Sequence, residues 1–412
     1  MTAVQAFLSR CRGGGKEQQQ RTEGASRGAG WESQDVAPVR VRTRCGLAGA
    51  WRRPAASVGA RSVPARPLPH LPGDCSLSPR SAAAVTLVHF ATVAPVVTSS
   101  EDVKMKARIL ALALAISALF STPAHAWDEL GHRVVAQIAW ENMTPAARAR
   151  AIQILRAAPP RSGIAALRPT VGTEAERDRE WFTWASVWPD LIRDRDHPGF
   201  VYAHSDWHYV NLFWEVGPNG QPRDRPDIPR AGLLIEQVQR ISGTLGSAAV
   251  PDSSKAVDLA WALHLIGDGH QPMHNNARIT AQDPEGDRGA NSFRLAGPYP
   301  YSNLHAYWDG LVGLALPWRS TDRTEAEYVT SITERITGRH PLGPLRSRLL
   351  PGQFEAWSRE GFQVAKTAYP SWLQRNQRPP ARYRPFAWQK AEPRIAIAGY
   401  RLANYLNATL GS

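Results

Sequence analysis

The stretch SKAVDLAWALHLIGDGHQPMH, residues 254–274, decides the fold class. Apolar residues recur through it every three or four positions, which is the period of an α-helix. His264 and Asp268 are four residues apart, so they lie on one face of this helix, one turn from each other. Pro272 ends or bends the helix, and His274 comes two residues later. The pattern predicts a long helix that carries metal-binding residue types inside an apolar run.

Six further stretches have the same helical spacing of apolar residues. They are residues 132–143, 144–155, 231–245, 325–336, 352–368 and 392–410. Thr144 followed by Pro145 is typical of an N-cap and a first helical position. Residues 215–230 are predicted as a loop, and residues 286–302 as a small hairpin or irregular segment. The region 127–412 contains no repeat and no linker, so the sequence predicts a single all-α, mostly helical domain.

Residues 105–126 are predicted to be a secretory signal peptide. The apolar run at 109–120 is preceded by three basic residues and followed by Ala124-His125-Ala126, a shape that signal peptidases cut. The run has twelve residues, whereas a membrane span needs about 20. We therefore expect cleavage after Ala126, the alternative being an uncleaved anchor. The mature protein would then be periplasmic or secreted.

Residues 1–104 do not resemble the start of a secreted protein. They are rich in Arg, Gly, Ala and Pro and show no sustained helix or strand period. A signal peptide placed after them would not be N-terminal, so we interpret Met105 as the true start. Residues 1–104 are then either a non-native upstream translation or a disordered extension.

The charge of the whole chain overstates that of the predicted domain. The full sequence has a net charge of +13, but residues 127–412 carry 33 Lys+Arg against 29 Asp+Glu, a balance of +4. A strongly basic nucleic-acid binder is therefore only weakly indicated. The three cysteines, Cys11, Cys45 and Cys75, all precede the domain. This excludes a disulfide framework and a thiolate metal site within it.

A second His–Asp pair repeats the spacing of the first. His305 and Asp309 are four residues apart in NLHAYWD. A single pair of this kind is usually an ordinary hydrogen-bonded pair, but two pairs inside apolar runs favour a metal centre. Asp190 in WPD and His208 in HYVN are further candidates. Taken alone, these two would be a helix cap and a surface histidine.

Six motifs occur in order along the domain. They are WxxxGH at 127–132, WPD at 188–190, HYVN at 208–211, the His-Asp-Gln-Pro-His run at 264–274, GAN at 289–291 and NLHxxWD at 303–309. Together they resemble the zinc-dependent, single-strand-specific type I nucleases of fungi and plants, also called 3'-nucleotidases, and their bacterial relatives. This resemblance implies the fold that these enzymes share with zinc-dependent phospholipase C. It covers essentially all of residues 127–412.

The resemblance implies three zinc ions per chain, held by nine residues. The first site would use Asp190, His208, His264 and Asp268, the second His274, His305 and Asp309, and the third the Trp127 main chain, His132 and Asp268. An amine can bind zinc only after it is freed from its peptide bond, so cleavage after Ala126 would complete the third site. Asp190 would be the catalytic residue that orients the attacking water or accepts its proton.

The resemblance also implies substrate contacts, with three departures from the family pattern, one of which is Ala290 in place of the second Gly of the family's GGN motif. Tyr209 would stack on a base, which favours single strands. Asn211 stands where fungal members carry Asp, which puts base preference in doubt. Arg193 stands where Lys is common, which keeps the charge but changes the donor geometry. Asn291 matches the Asn of the family's GGN motif.

Three functions remain open at this stage. The first is a secreted zinc endonuclease that cuts single-stranded DNA and RNA to 5'-phosphorylated products and also acts on 3'-nucleotides. The second is a zinc-dependent phospholipase C, although such enzymes typically have Glu where this chain has Asp309. The third is a non-catalytic zinc-binding protein. We expect a monomer with no obligate protein partner and no stable membrane association.

Overall fold

The computed structural model describes residues 127–297, 301–319, 321 and 324–411. The predictions for residues 1–126 lie outside this range. In chain order the helices are α1 (Glu129–Asn142), α2 (Pro145–Arg156), α3 (Glu174–Ala185), α4 (Trp188–Leu191), α5 (Leu234–Gly246), α6 (Asp252–Asp268), α7 (Leu304–Asp309), α8 (Leu311–Ala315), α9 (Glu325–Arg339), α10 (Leu342–Leu345), α11 (Phe354–Lys366) and α12 (Tyr383–Leu410). Short 3₁₀ turns join several of them. The predicted all-α, mostly helical fold is confirmed.

The quoted stretch forms the central helix, α6, and it is buried on most of its circumference. Helices α1, α2, α4, α5 and α12 all pack against it. This burial explains its sequence, because a helix that is covered on several sides reads as apolar almost all round. Any polar side chain on it must therefore find its partners inside the protein.

Side-chain caps define the starts of several helices; one of these caps is predicted from the sequence and two are not. Thr144 accepts a hydrogen bond from the Ala147 amide, and Pro145 begins α2. Thr173 and Thr324 each form a complete capping box at the start of α3 and α9. Sequence periodicity did not predict α3, because its first seven residues, EAERDRE, contain a single small apolar side chain.

A small sheet interrupts the helical pattern. Its strands are β1 (Leu212–Val216), β2 (Pro222–Asp224) and β3 (Asn276–Ile279), in the order β2-β1-β3. β1 pairs antiparallel with β2 and parallel with β3, with Leu212 opposite Asn276. The predicted loop at 215–230 is therefore wrong in part, because it contains the end of β1 and all of β2. The strands are too short for a period-2 signal to stand out from the Pro and Gly around them.

The segment near 286–302 is irregular, as predicted. Its described residues form turns and one isolated antiparallel bridge between Arg294 and Asn303. Arg288, Gly289 and Ala290 have φ angles of 55°, 64° and 69°. Three successive left-handed residues are costly for side chains with a Cβ, so this turn must be held by contacts around it.

Candidate metal centre

Eight buried His and Asp side chains meet in the middle of the bundle. They are His132 on α1, Asp190 on α4, His208 before β1, His264 and Asp268 on α6, His274 in the 3₁₀ turn Pro272–Asn275, and His305 and Asp309 on α7. Three groups of donors each lie within 4.8 Å of one another: His132 with His264 and Asp268, Asp190 with His208 and His264, and His274 with His305 and Asp309. Residues up to 177 positions apart therefore converge on one region.

Asp268 is the centre of the larger part of this cluster. Its Oδ1 lies 3.2 Å from His132 Nε2, and its Oδ2 lies 3.2 Å from both His208 Nδ1 and His264 Nε2. Burial favours the neutral carboxyl, but the charges of His264 and His274 and hydrogen bonds from other imidazoles outweigh it and hold the pKa of Asp268 well below its usual range. Asp268 is thus an anion surrounded by imidazoles.

Asp190 and His208 complete this end of the cluster. Asp190 Oδ1 lies 3.9 Å from both His208 Nδ1 and His264 Nε2. The facing nitrogens of His208 and His264 are 2.9 Å apart. His264 Nδ1 is 2.8 Å from the Ser186 carbonyl, which leaves its Nε2 directed at the cluster. A pair of imidazole nitrogens this close, flanked by two carboxylates, is an arrangement that a shared cation would stabilise.

His274 and His305 are oriented by the polypeptide around them. His274 Nδ1 lies 2.6 Å from the His208 carbonyl, and His305 Nδ1 lies 2.6 Å from the Gly289 carbonyl. Each Nδ1 therefore carries the proton that this carbonyl accepts, and each Nε2 faces Asp309, at 3.8 Å from His274 and 3.6 Å from His305. Burial, followed by the charge of His274, lowers the pKa of His305 to about 3, so this imidazole is neutral and able to bind a metal.

Asp309 is held by a neutral amide. Gln271 Nε2 donates to Asp309 Oδ1 at 2.6 Å, and the Gln271 Oε1 accepts from the Met273 amide. Gln271 lies within the predicted motif, but sequence reasoning assigned it no role. Burial raises the pKa of Asp309 well above its usual range, against the hydrogen bond from Gln271. A cation at Oδ2 would restore the charged form.

The left-handed turn at 288–290 has a positioning role that the sequence did not reveal. The buried Asp287 carboxylate accepts from the Arg278 amide at 2.9 Å and from the Tyr369 hydroxyl at 2.7 Å. These contacts fix the turn that directs the Gly289 carbonyl at His305. A Cβ on Gly289 would lie 2.3 Å from the Met273 carbonyl oxygen. Only glycine fits there.

Trp127 is fully buried beside this cluster. Its indole Nε1 donates to the Gly267 carbonyl at 3.1 Å. A Cβ on Gly131 would lie 2.7 Å from Trp127 Cβ, and a Cβ on Gly267 would lie 2.9 Å from His132 Nδ1. The two glycines therefore allow α1 and α6 to approach closely enough for Trp127 and His132 to sit between them.

The donor set fits divalent cations. Within the described residues, several buried atoms have no hydrogen-bond partner: His132 Nδ1, His208 Nε2, His274 Nε2 and Asp309 Oδ2. Buried polar atoms are rarely left without partners, because each costs free energy. Imidazole nitrogen and carboxylate oxygen with no thiolate is a donor set that suits zinc.

The predicted substrate residues differ in how they are held. Arg193 is about one-third exposed, with Nη1 3.4 Å from Asp190 Oδ1. Tyr209 is half-buried, and a Cβ on Gly232 would lie 2.6 Å from its ring, so the ring lies directly against this glycine. The Asn211 amide donates to the Ala231 carbonyl at 2.7 Å. Asn291 Nδ2 donates to the Arg288 carbonyl and supports the left-handed turn.

His270 is not among the cluster residues, as expected from the sequence. Its Nδ1 lies 2.7 Å from the Ile266 carbonyl and its Nε2 lies 2.9 Å from Arg401 Nη1. Burial and the neighbouring Arg394 and Arg401 hold its pKa well below the usual range. It is a structural histidine.

Comparison with known proteins agrees with this site. Residues 127–411 match the family described as S1/P1 Nuclease. Nuclease PA3 of a Penicillium species is 22% identical over 303 residues, which cover 69% of this chain and 98% of that protein. Nuclease S1 of Aspergillus oryzae (strain ATCC 42149 / RIB 40) is 23% identical over 231 residues, which cover 56% of this chain and 69% of that protein. The chain belongs to the S1/P1 nuclease family and is a hydrolase that acts on phosphodiester bonds.

Proposed function

We propose that this nuclease holds three zinc ions per chain and cuts single-stranded DNA and RNA to 5'-phosphorylated products, with 3'-nucleotidase activity. The observation that carries the proposal is the set of three donor groups, two of which share His264, with Asp268 of one group 3.2 Å from His208 of another. Bound zinc ions would lower the pKa of water and stabilise negative charge on the phosphate. The protein side chains supply the remaining steps.

Asp190 is the proposed catalytic residue. Its carboxylate lies at the edge of the donor cluster, beside His208 and His264. It would orient the attacking water in line with the phosphorus and accept its proton. Arg193 lies next to Asp190 and is partly exposed, so its guanidinium would hold a phosphate oxygen.

Substrate binding is proposed at Tyr209, Asn211 and Asn291. The half-buried Tyr209 ring is held against Gly232 and would stack on a base. A base in a duplex is already stacked, which favours a single strand. Asn211 would contact the base edge, and Asn291 would contact the phosphate or sugar close to His305.

Maturation is part of the proposal. Export with cleavage after Ala126 would free the Trp127 amine, which with the Trp127 carbonyl, His132 and Asp268 would form the third zinc site. The close packing of Trp127 against Gly131 and its hydrogen bond to the Gly267 carbonyl support this assignment. Among the described residues, none of the helices combines the length and apolar character needed to span a membrane. We propose a monomer located in the periplasm or outside the cell.

The experiment is export from a coding sequence that starts at Met105, followed by mass spectrometry, zinc analysis and assays on single-stranded DNA, RNA and a 3'-nucleotide. We expect a chain that begins at Trp127, three zinc ions per chain, and 5'-phosphorylated products that disappear with a chelator. A chain that retains an N-terminal extension yet binds three zinc ions would rule out the Trp127 site. A correctly cleaved, zinc-loaded protein without activity on any of the three substrates would refute the proposed function.

A further inference from the structure

The C-terminal part of the chain contains a long stretch without acidic residues. Residues 361–391 include six Lys+Arg and no Asp or Glu. Aromatic side chains alternate with these cations, among them the half-buried Trp372 and Phe386. Alternating basic and aromatic residues are the composition of surfaces that bind single-stranded nucleic acid. The overall charge balance of the domain conceals this local excess.

This stretch is anchored on the helix that carries His305 and Asp309. The Trp308 Nε1 on α7 donates to the Tyr383 hydroxyl at 2.9 Å, and the rings of Tyr307 and Tyr383 are 5.4 Å apart. Tyr383 is fully buried, whereas its neighbours Arg382 and Arg384 are exposed. The two arginines therefore project from a point fixed directly against α7.

The same stretch also pairs with the irregular segment beside the metal centre. The Asn376 amide donates to the Arg294 carbonyl at 2.8 Å, and the Ala296 amide donates to the Gln377 carbonyl at 3.1 Å. Arg294 is bridged to Asn303, the N-cap residue of α7. Arg294 is thus held between the acid-free stretch and the helix of His305.

Four exposed arginines in this area have no carboxylate partner within the described part of the chain. They are Arg288, Arg294, Arg382 and Arg384, and we call them the basic strip. Arg382 lies over the Trp372 ring at 4.1 Å, which orients its guanidinium. By contrast, Lys366 and Arg375 are neutralised by Asp224 and Asp283. Unpaired, exposed guanidinium groups are available to phosphates.

We propose that the basic strip binds the phosphates of a single-stranded polynucleotide outside the metal cluster. This inference rests on the proposed function, because it extends the substrate strand beyond the bond that is cut. A strand entering at His305 would pass Arg288 and Arg294 first and then Arg382 and Arg384. Such contacts would bind a polymer and contribute nothing to a mononucleotide, which ends at the metal centre.

The test compares Arg294→Ala/Arg382→Ala/Arg384→Ala with a charge-matched control, Arg161→Ala/Arg335→Ala/Arg346→Ala. The control arginines are also exposed and have no described carboxylate partner. Binding of a fluorescent, phosphorothioate-linked 12-nucleotide strand is measured by anisotropy at several salt concentrations. Hydrolysis of the normal strand and of a 3'-nucleotide is measured in parallel.

We expect the strip variant to bind the strand about 10- to 100-fold more weakly at low salt. Each lost phosphate contact reduces the slope of log affinity against log salt by about 0.7, so three contacts reduce it by about 2. The KM for the strand should rise while kcat and 3'-nucleotide hydrolysis stay at the wild-type level. The control should match the wild type throughout.

An unchanged salt slope and strand KM in the strip variant would overturn the proposal. So would loss of binding to vesicles that contain anionic lipid with strand binding intact, which would assign the strip to a membrane surface. If the wild type hydrolyses neither substrate, the proposed function fails, while the anisotropy measurement still decides whether the strip binds the strand.

Discussion

The two buried aspartates at opposite ends of the metal cluster are held in contrasting ways. Asp268 is surrounded by imidazole nitrogens, three of them within 3.2 Å, and its pKa is held far below the usual range. Asp309 accepts a hydrogen bond from the neutral Gln271, and burial raises its pKa far above that range. One end is organised by the donors themselves, the other by the surrounding polypeptide.

This difference predicts how each end of the cluster would respond to the loss of metal. At the Asp309 end, carbonyls at His208 and Gly289 and the amide of Gln271 keep the donors in place without a cation. At the Asp268 end, His208 and His264 face each other at 2.9 Å, a contact that a cation would hold together. We expect the Asp268 end to depend on metal for its structure and the Asp309 end to be preorganised.

Replacing the shared carboxylate should have the largest effect. Asp268→Asn removes the anion that contacts three imidazoles. Removing one partner of a buried charged pair lowers the free energy of unfolding by about 3–5 kcal/mol. We expect a loss of activity on the order of 10³-fold and no more than one or two zinc ions per chain, measured by elemental analysis. Asp258→Asn on the same helix is the control, because Asp258 pairs with Arg240 and should keep a full metal content.

Acid should destabilise the metal-free protein, with one contribution from each end. Burial and the charge of His264 lower the pKa of His132 to about 4, and burial and His274 lower that of His305 to about 3, from 6.5 in both cases. The folded pKa values lie below the unfolded ones, so the unfolded chain binds more protons. These two imidazoles therefore cost no stability above pH 6.5, and each destabilises the folded chain increasingly as the pH drops towards its folded pKa.

Urea unfolding of chelator-treated protein at pH 7.5 and pH 5 measures this fall. His132→Gln and His305→Gln should each remove part of the pH dependence, which apportions it between the two ends. If neither variant changes the pH dependence, these imidazoles are not held neutral in the metal-free fold.

Adding a methyl group between α1 and α6 should weaken metal binding at the Asp268 end alone. In Gly267→Ala the new methyl group would lie 2.9 Å from His132 Nδ1, so the imidazole must move. We expect zinc affinity to fall about 10- to 100-fold at one site, with the other sites filled at limiting zinc. Gly243→Ala on α5 meets no atom within 4 Å and should leave zinc binding unchanged.

Removing the amide at Gln271 should have the smallest effect, because the backbone carbonyls that contact His274 and His305 remain in place. Gln271→Met frees Asp309 Oδ1 and should weaken the second zinc site about 10-fold. Competition with a zinc chelator measures this. The control is Gln137→Met, which removes an equally buried amide that contacts Glu141 and Thr330 instead. A loss of more than one zinc from Gln271→Met would contradict preorganisation at the Asp309 end.

The features that could be predicted from the sequence depend on residues that lie close together in the chain. Both His–Asp pairs have a four-residue spacing that places them on one helical face, and α6 and the confirmed helical fold follow from apolar periodicity. The ligand roles remain predictions. The support for the Asp309 end was not predictable, because the Gly289 carbonyl and Asp287 act through backbone geometry that no residue pattern encodes. The β1–β2 hairpin was missed because its strands are too short to show a clear period of two, and the parallel pairing of β1 with β3 joins segments far apart in the chain.

The packing of α1 against α12 has a consequence for when the enzyme becomes active. These are the first and last helices of the described fold, and they pack extensively side by side. Helix α1 carries His132, so its position depends on a helix that is synthesised roughly 250 residues later. A nascent or C-terminally truncated chain is therefore expected to lack nuclease activity. Completion of the fold would act as a safeguard for the nucleic acid of the cell that makes it.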